Sequence, residues 1–178
     1  AETALRFFRR TNGLRAELNF RGGETARVGL RLLFSKETVA GVEWYGRGPL
    51  PSYSDRRSAA LTGRWQLPPE ALFTPYTRPQ ENGQRSDVRE LLLTSADGCR
   101  LRITGDCLFG FTLFPFRSET LSRCKHDYEL PRPGELWELT LDLAQRGVGG
   151  DNSWGADVYP PYRLSGSFSG SFLFERLA

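Results

Sequence analysis

Apolar and polar residues alternate along much of this chain, and that pattern constrains the fold more than any other feature. A period of two places successive side chains on opposite faces of a strand, which no helix can do. Ala26, Val28, Leu30, Leu32 and Phe34 fall on one face, with Arg27, Gly29 and Arg31 on the other. Cys99, Leu101 and Ile103 alternate with Arg100 and Arg102. Trp137, Leu139, Leu141 and Leu143 alternate with Glu138, Thr140 and Asp142. Near the end Phe168, Phe172 and Phe174 alternate with serines, and Gly170 fills the remaining slot on that face. Further strands are predicted near residues 5–9, 14–20, 39–45, 88–93 and 109–114. Two short helices are predicted over 54–61 and 118–126, with Ser54 and Ser118 as N-caps. Asn12-Gly13, Gly22-Gly23, Asn82-Gly83, Asp97-Gly98, Pro133-Gly134 and Gly149-Gly150 supply turns. Many short strands with regular turns predict an all-β, antiparallel two-sheet sandwich. Nothing divides the 178 residues, so one domain over 1–178 is expected.

Composition excludes several classes. Hydrophobic residues at 39% and charged residues at 25% argue against disorder. No run of 18 apolar residues offers a membrane span. The net charge is +3, yet the arginines are interleaved with Asp and Glu, so a solvated surface is expected and no nucleic-acid partner. The start, Ala1-Glu2-Thr3-Ala4, has no signal-peptide character, and no Met occurs anywhere. An excised piece of a longer, cytoplasmic protein is the expectation. Cys99, Cys107 and Cys124 share no metal spacing, and three reduced thiols are expected; a Cys99–Cys107 bridge would need a close Cα approach. His126, the one histidine, cannot build a His-based metal site alone.

Three segments combine aromatic rings, hydrogen-bonding side chains and glycines, a mixture suited to sugars. The first is residues 43–49, Glu43-Trp44-Tyr45-Gly46-Arg47-Gly48-Pro49. The second is Thr74-Pro75-Tyr76 followed by residues 79–89, including Glu81, Asn82, Arg85 and Arg89. The third is residues 147–155, with Asp151, Asn152, Ser153 and Trp154 among glycines. Trp154 between Ser153 and Gly155 reads either as an aromatic platform or as a core plug, and spacing leaves both open. Glycosidic hydrolysis needs two carboxyl groups about 5–9.5 Å apart. Glu81, Asp87, Asp151 and Asp157 show no such pairing in sequence, and turn or surface roles are expected. Glu81 is expected to form an ion pair with Arg85 or Arg89 that holds a loop. A Ser-His-Asp arrangement would have to use His126, which has no elbow sequence near it.

At these segments the chain resembles the C-terminal β-sandwich (small-chain) domain of glycoside hydrolase family 2 β-galactosidases. The resemblance rests on residues 43–49 with Tyr53 and Asp55-Arg56, then Tyr76, Glu81-Asn82-Gly83 and Asp87-Val88-Arg89. It continues through Gly147 to Trp154-Gly155, Pro161-Tyr162 and Leu164, in the family's order. It implies a two-sheet supersandwich similar to galactose mutarotase. It also implies a parent that hydrolyses terminal β-D-galactosides with two glutamates on a (β/α)8 barrel absent here. No cofactor is implied for this domain, since active-site Mg or Na in such a parent belongs to other domains. The partners implied are those other domains, the barrel above all, and the galactoside. Trp154 occupies the position of a Trp that contacts sugar or aglycone, with Asp151, Asn152 and Ser153 shaping its loop. Glu81, Asn82, Arg85, Arg89, Trp44 and Tyr53 would brace the neighbouring loops. Pro51-Ser52, Asn152 and Glu90 depart from the family's usual residues, which bears on substrate more than on fold. Two other readings stand beside this one. A freestanding carbohydrate-binding module would bind sugar in isolation, and a mutarotase-like epimerase would need His126 as acid or base.

Overall fold

A computed structural model describes residues 1–132, 134–152 and 154–177. Among them run nine strands: β1 (Glu2–Arg10), β2 (Gly13–Thr25), β3 (Arg27–Ser35), β4 (Gly41–Gly48), β5 (Leu61–Leu67), β6 (Arg85–Thr94), β7 (Arg100–Phe114), β8 (Leu136–Gln145) and β9 (Leu164–Leu177). The strand pairings are antiparallel. The main path runs β1-β2-β9-β7-β6-β4-β5, and β8 joins β7 to β3. The fold is therefore the antiparallel β-sandwich that alternation predicts.

β7 makes the sandwich. Residues 100–105 pair with β9, whereas residues 110–114 pair with β8. Two arms, β1-β2-β9 and β3-β8, thus spring from one strand. Their apolar faces meet in a core that includes Ala16, Leu18, Val28, Leu30, Leu139, Leu141 and Phe172. Phe109 meets Phe172 edge to face at 5.5 Å. Gly170 leaves room for Leu143, whose Cδ2 a Cβ there would approach to 2.7 Å. Residues 100–103 and 109–114, which read as parts of separate strands in the sequence, belong to one strand that changes partner. Asp106 holds the changeover by accepting the Ser171 N–H and hydroxyl, each at 2.9 Å.

The helix predicted over 54–61 does not form. Tyr53 and Arg56 instead exchange backbone hydrogen bonds at 2.9 and 3.1 Å, and Arg47 Nη1 donates to the Ala60 carbonyl at 2.9 Å. Leu61 already belongs to β5, an edge strand that Gly63 hides from the alternation. Trp65 fixes this strand by donating Nε1–H to the Gly46 carbonyl at 3.2 Å. The second helix is shorter than predicted: α1 spans Glu119–Arg123. Ser118 makes no side-chain cap; its backbone N–H donates to Glu138 Oε1 at 3.0 Å. The cysteines are free thiols. Cys99 and Cys107 lie eight positions apart along one extended segment, a span of roughly 25 Å at strand rise, which no disulfide crosses.

A second layer covers the outer face of the β7–β8 half. Phe114, Phe116 and Leu121 form a small core there with Phe73 and Leu130. Glu138 and Thr140, on the polar face of β8, are buried, and so is Asp142 further along, beneath Arg27 and Gln84. Leu139 points the other way, into the main core, and is fully enclosed. Leu139→Ala should lower the unfolding free energy by about 2–5 kcal/mol. Urea denaturation would show this as a lower midpoint at unchanged slope.

Candidate functional site

The segment after β8 leaves the sheet through a set of fixed points. Arg146 N–H donates to the Ala26 carbonyl at 3.0 Å, and Gly147 N–H to the Tyr162 carbonyl at 2.9 Å. Asp55 then accepts the next two amides, Val148 at 3.1 Å and Gly149 at 2.8 Å. Gly149, Gly150 and Gly155 have φ of 66°, 88° and 77°, left-handed values that glycine takes without a Cβ penalty. Asn152 Oδ1 accepts the Trp154 N–H at 2.9 Å and the Ala156 N–H at 3.4 Å, a local turn built by the side chain. Beyond it Asp157 is gripped by Arg146 at 2.6 Å and Arg163 at 3.1 Å. The Val158 N–H, aided by the two arginines, holds the Asp157 carboxyl below its ordinary range. The Trp154 side chain lies outside the core, with the residue 93% exposed, so the core-plug alternative is excluded. Asp151 is exposed, and Ser153 lies outside the described residues.

Beside this loop sits a half-buried polar network centred on Arg27. Its Nη2 faces Gln145 Oε1 at 3.0 Å, Glu81 Oε1 at 3.2 Å and Thr112 Oγ1 at 3.5 Å. Its Nε lies 3.0 Å from Asp142 Oδ1, out of line for a hydrogen bond, so that contact is chiefly charge against charge. The partner of Glu81 is therefore Arg27, and not Arg85 or Arg89. Sequence proximity suggested those two, but β3 brings Arg27 in from 54 residues away. Tyr53 donates its hydroxyl to Glu81 at 3.3 Å and accepts the Gln84 N–H at 3.4 Å. Burial and the neighbouring Glu81 push that hydroxyl well above the ordinary tyrosine range. Gln84 Nε2 completes the circuit to Asp142 Oδ2 at 3.4 Å. Burial raises the Asp142 carboxyl to about 7, against the opposing pull of Arg27.

The remaining sequence candidates take separate places. Asn82 is buried and accepts the Thr74 N–H at 3.0 Å while donating to the Gln80 carbonyl at 2.9 Å. Arg85, also buried, donates to the carbonyls of Pro49, Leu72 and Gly83 at 2.9, 3.0 and 2.6 Å. It ties three segments together, and burial lowers its guanidinium to about 10. Trp44 is a core ring that meets Phe111 edge to face at 5.6 Å. Arg89 is exposed, donates to the Asp87 carbonyl and lies over the Tyr45 ring at 5.1 Å. Asp87 pairs with Arg47 at 2.5 Å and Arg57 at 3.6 Å. His126 stacks on Tyr128 at 5.1 Å. Among the described residues no three His, Cys, Asp or Glu side chains gather as a metal site, and no helix is long and apolar enough to cross a membrane.

Two residues of the site escaped the sequence reading. Asp55 stood in a quoted motif, but its acceptors' partners lie 93 and 94 positions away. Asp142 sat on the polar face of an alternating strand, where solvent was the natural expectation; Arg27 and Gln84, brought in from other segments, stand against it.

Residues 2–174 match the family model described as Beta galactosidase small chain. A Beta-galactosidase of Aeromonas hydrophila subsp. hydrophila is 41% identical over 141 residues, covering 78% of this chain and 13% of that protein. One from Enterobacter cloacae is 40% identical over 141 residues, covering 79% and 13% respectively. One from Lactococcus lactis subsp. lactis is 37% identical over 152 residues, covering 85% and 14%. The chain thus spans only a small part of the length of these relatives.

Asp142 gives the site a pH signature. Its folded pKa of about 7 lies above the ordinary 3.8, so the folded state holds this proton more tightly than the unfolded chain. The stability it contributes is complete below about pH 4 and is lost as pH rises through about 7. Wild type should therefore lose stability relative to Asp142→Asn between pH 5 and pH 8, by a few kcal/mol at about 1.4 per unit. Urea denaturation of both chains at the two pH values checks this.

Proposed function

The chain belongs to the β-galactosidase small-chain family, and on that premise we propose that it presents Trp154 to the substrate of a parent β-galactosidase. The two carboxyl groups that cleave the glycosidic bond then lie on other domains, and those domains are its partners. The observation that carries this reading is an almost fully exposed indole on a loop whose base is tied down by hydrogen bonds. Such a ring offers a flat apolar face to the C–H face of a pyranose or an aglycone.

The state of the nearby carboxylates supports the division of labour. A retaining glycosidase sets its acid and its nucleophile about 5–5.5 Å apart across the bond. Here Asp55 is occupied by two backbone amides, Glu81 by Arg27 and Tyr53, and Asp157 by two arginines. Asp142 is enclosed. These groups build and hold a surface, and the chain's contribution is contact energy.

A ring that touches the aglycone equally in ground and transition states alters KM more than kcat. In the full-length enzyme Trp154→Ala should raise KM for lactose roughly 5- to 150-fold, the equivalent of about 1–3 kcal/mol. The melting temperature should hold, since the ring is exposed. An unchanged KM would remove the assigned role. Calorimetric titration of the isolated chain with galactose should give no heat; saturable heat would point to a freestanding carbohydrate-binding module.

A further inference from the structure

We propose that Asp55 is the positioning residue for Trp154, an inference that rests on the substrate-contact reading just given. An indole exposed this fully has little packing around it to say where it stands. Its place is set by the backbone that carries it, and that backbone contains three left-handed glycines. Glycines of this kind allow many loop conformations, and ordering them costs conformational entropy. Something at the base must fix the direction in which the loop departs.

Asp55 is built for that task. Both its carboxylate oxygens are used, one on the Val148 N–H and the other on the Gly149 N–H. Charge-assisted bonds at these distances are stronger than neutral ones, and two of them fix orientation as well as position. The carboxylate is itself held. It sits in the turn closed by the Tyr53–Arg56 backbone exchange, and Tyr53 is anchored on Glu81. Gly147 completes the clamp from the other side: a Cβ there would stand 2.3 Å from Asp55 Oδ2. Since Gly147 does not take a left-handed φ, its missing side chain serves the approach of this carboxylate and not a strained backbone. Asp55 touches no substrate in this account. It removes from binding the cost of ordering the loop, so the indole is already in place when the sugar arrives.

A double-mutant cycle in the full-length β-galactosidase tests this, with KM for lactose, kcat and melting temperature as readouts. Asp55→Ala should raise KM roughly 5- to 30-fold, the scale of one loop residue left unordered, with kcat within about twofold. In the Trp154→Ala background the same change should raise KM no further. Asp55→Asn, which keeps one strong acceptor, should fall between. Gly147→Ala should reproduce Asp55→Ala without touching the carboxylate's chemistry, and it carries the cycle if Asp55→Ala does not fold. If Trp154→Ala alone leaves KM unchanged, the substrate-contact reading falls and the positioning role falls with it. If Trp154→Ala raises KM but the Asp55 and Gly147 changes do not, the contact stands and the positioning role is overturned. An equal rise in both backgrounds would also overturn it, because Asp55 would then act through some other group.

Discussion

β7 runs for fifteen residues and changes its hydrogen-bonding partner midway, from β9 to β8. Because the two partners lie at different heights along one strand, the arms they lead can fold over one another instead of extending a flat sheet. The main core is the space between those arms, and Phe109 and Phe172 meet across it. The bend is held by Asp106, which takes both the amide and the hydroxyl of Ser171. Inserting one residue at the changeover would turn every side chain beyond it to the opposite face. The apolar row of Phe111 and Leu113 would then meet the second layer, and Thr112 and Phe114 would meet the core.

That second layer shapes the electrostatics of the molecule. By covering the outer face of β7 and β8 it encloses Glu138, while Asp142 is enclosed further along the strand, and enclosing a carboxylate is costly unless it is partnered. Arg27 answers Asp142 from β3, and Ser118 N–H answers Glu138 from the covering segment. Pairs of this type add little net stability, since desolvation offsets most of the attraction. Their effect is on geometry: Arg27 reaches Glu81, and through it Tyr53, so the two loops next to the glycine-rich segment share one support.

The glycine-rich segment itself is where local economy fails. The Trp154 indole gains little from burial, standing almost wholly in water. The rest of the segment is well satisfied: Asn152 accepts two amides, Asp55 accepts two more, and Asp157 holds two arginines. The contrast between a satisfied backbone and an unsatisfied ring sets Trp154 apart from the other aromatic residues of the three motifs. Trp44 and Tyr53 are both buried.

Alternation alone determined the class of fold, because a period of two admits only strands, and it located most of the apolar face of each. The aromatic and glycine pattern likewise singled out the 147–155 loop, since those residue types are read locally. What no local pattern carries is which distant groups meet. β5 was hidden because Gly63 breaks the apolar row and because its anchor, the Gly46 carbonyl, belongs to another strand. Glu81 pointed by proximity to Arg85 and Arg89, yet Arg85 is drawn to three carbonyls and Arg27 arrives from β3. Whether Asp142 faced water or protein depended on Arg27 and Gln84, of which β8 itself says nothing. Likewise the amides at the base of the Trp154 loop are held by a carboxylate more than 90 residues earlier in the chain. Periodicity is a property of neighbours in sequence and survives in any arrangement of the strands. Burial, ion pairing and loop direction are properties of neighbours in space, and these exist only once the arms have closed.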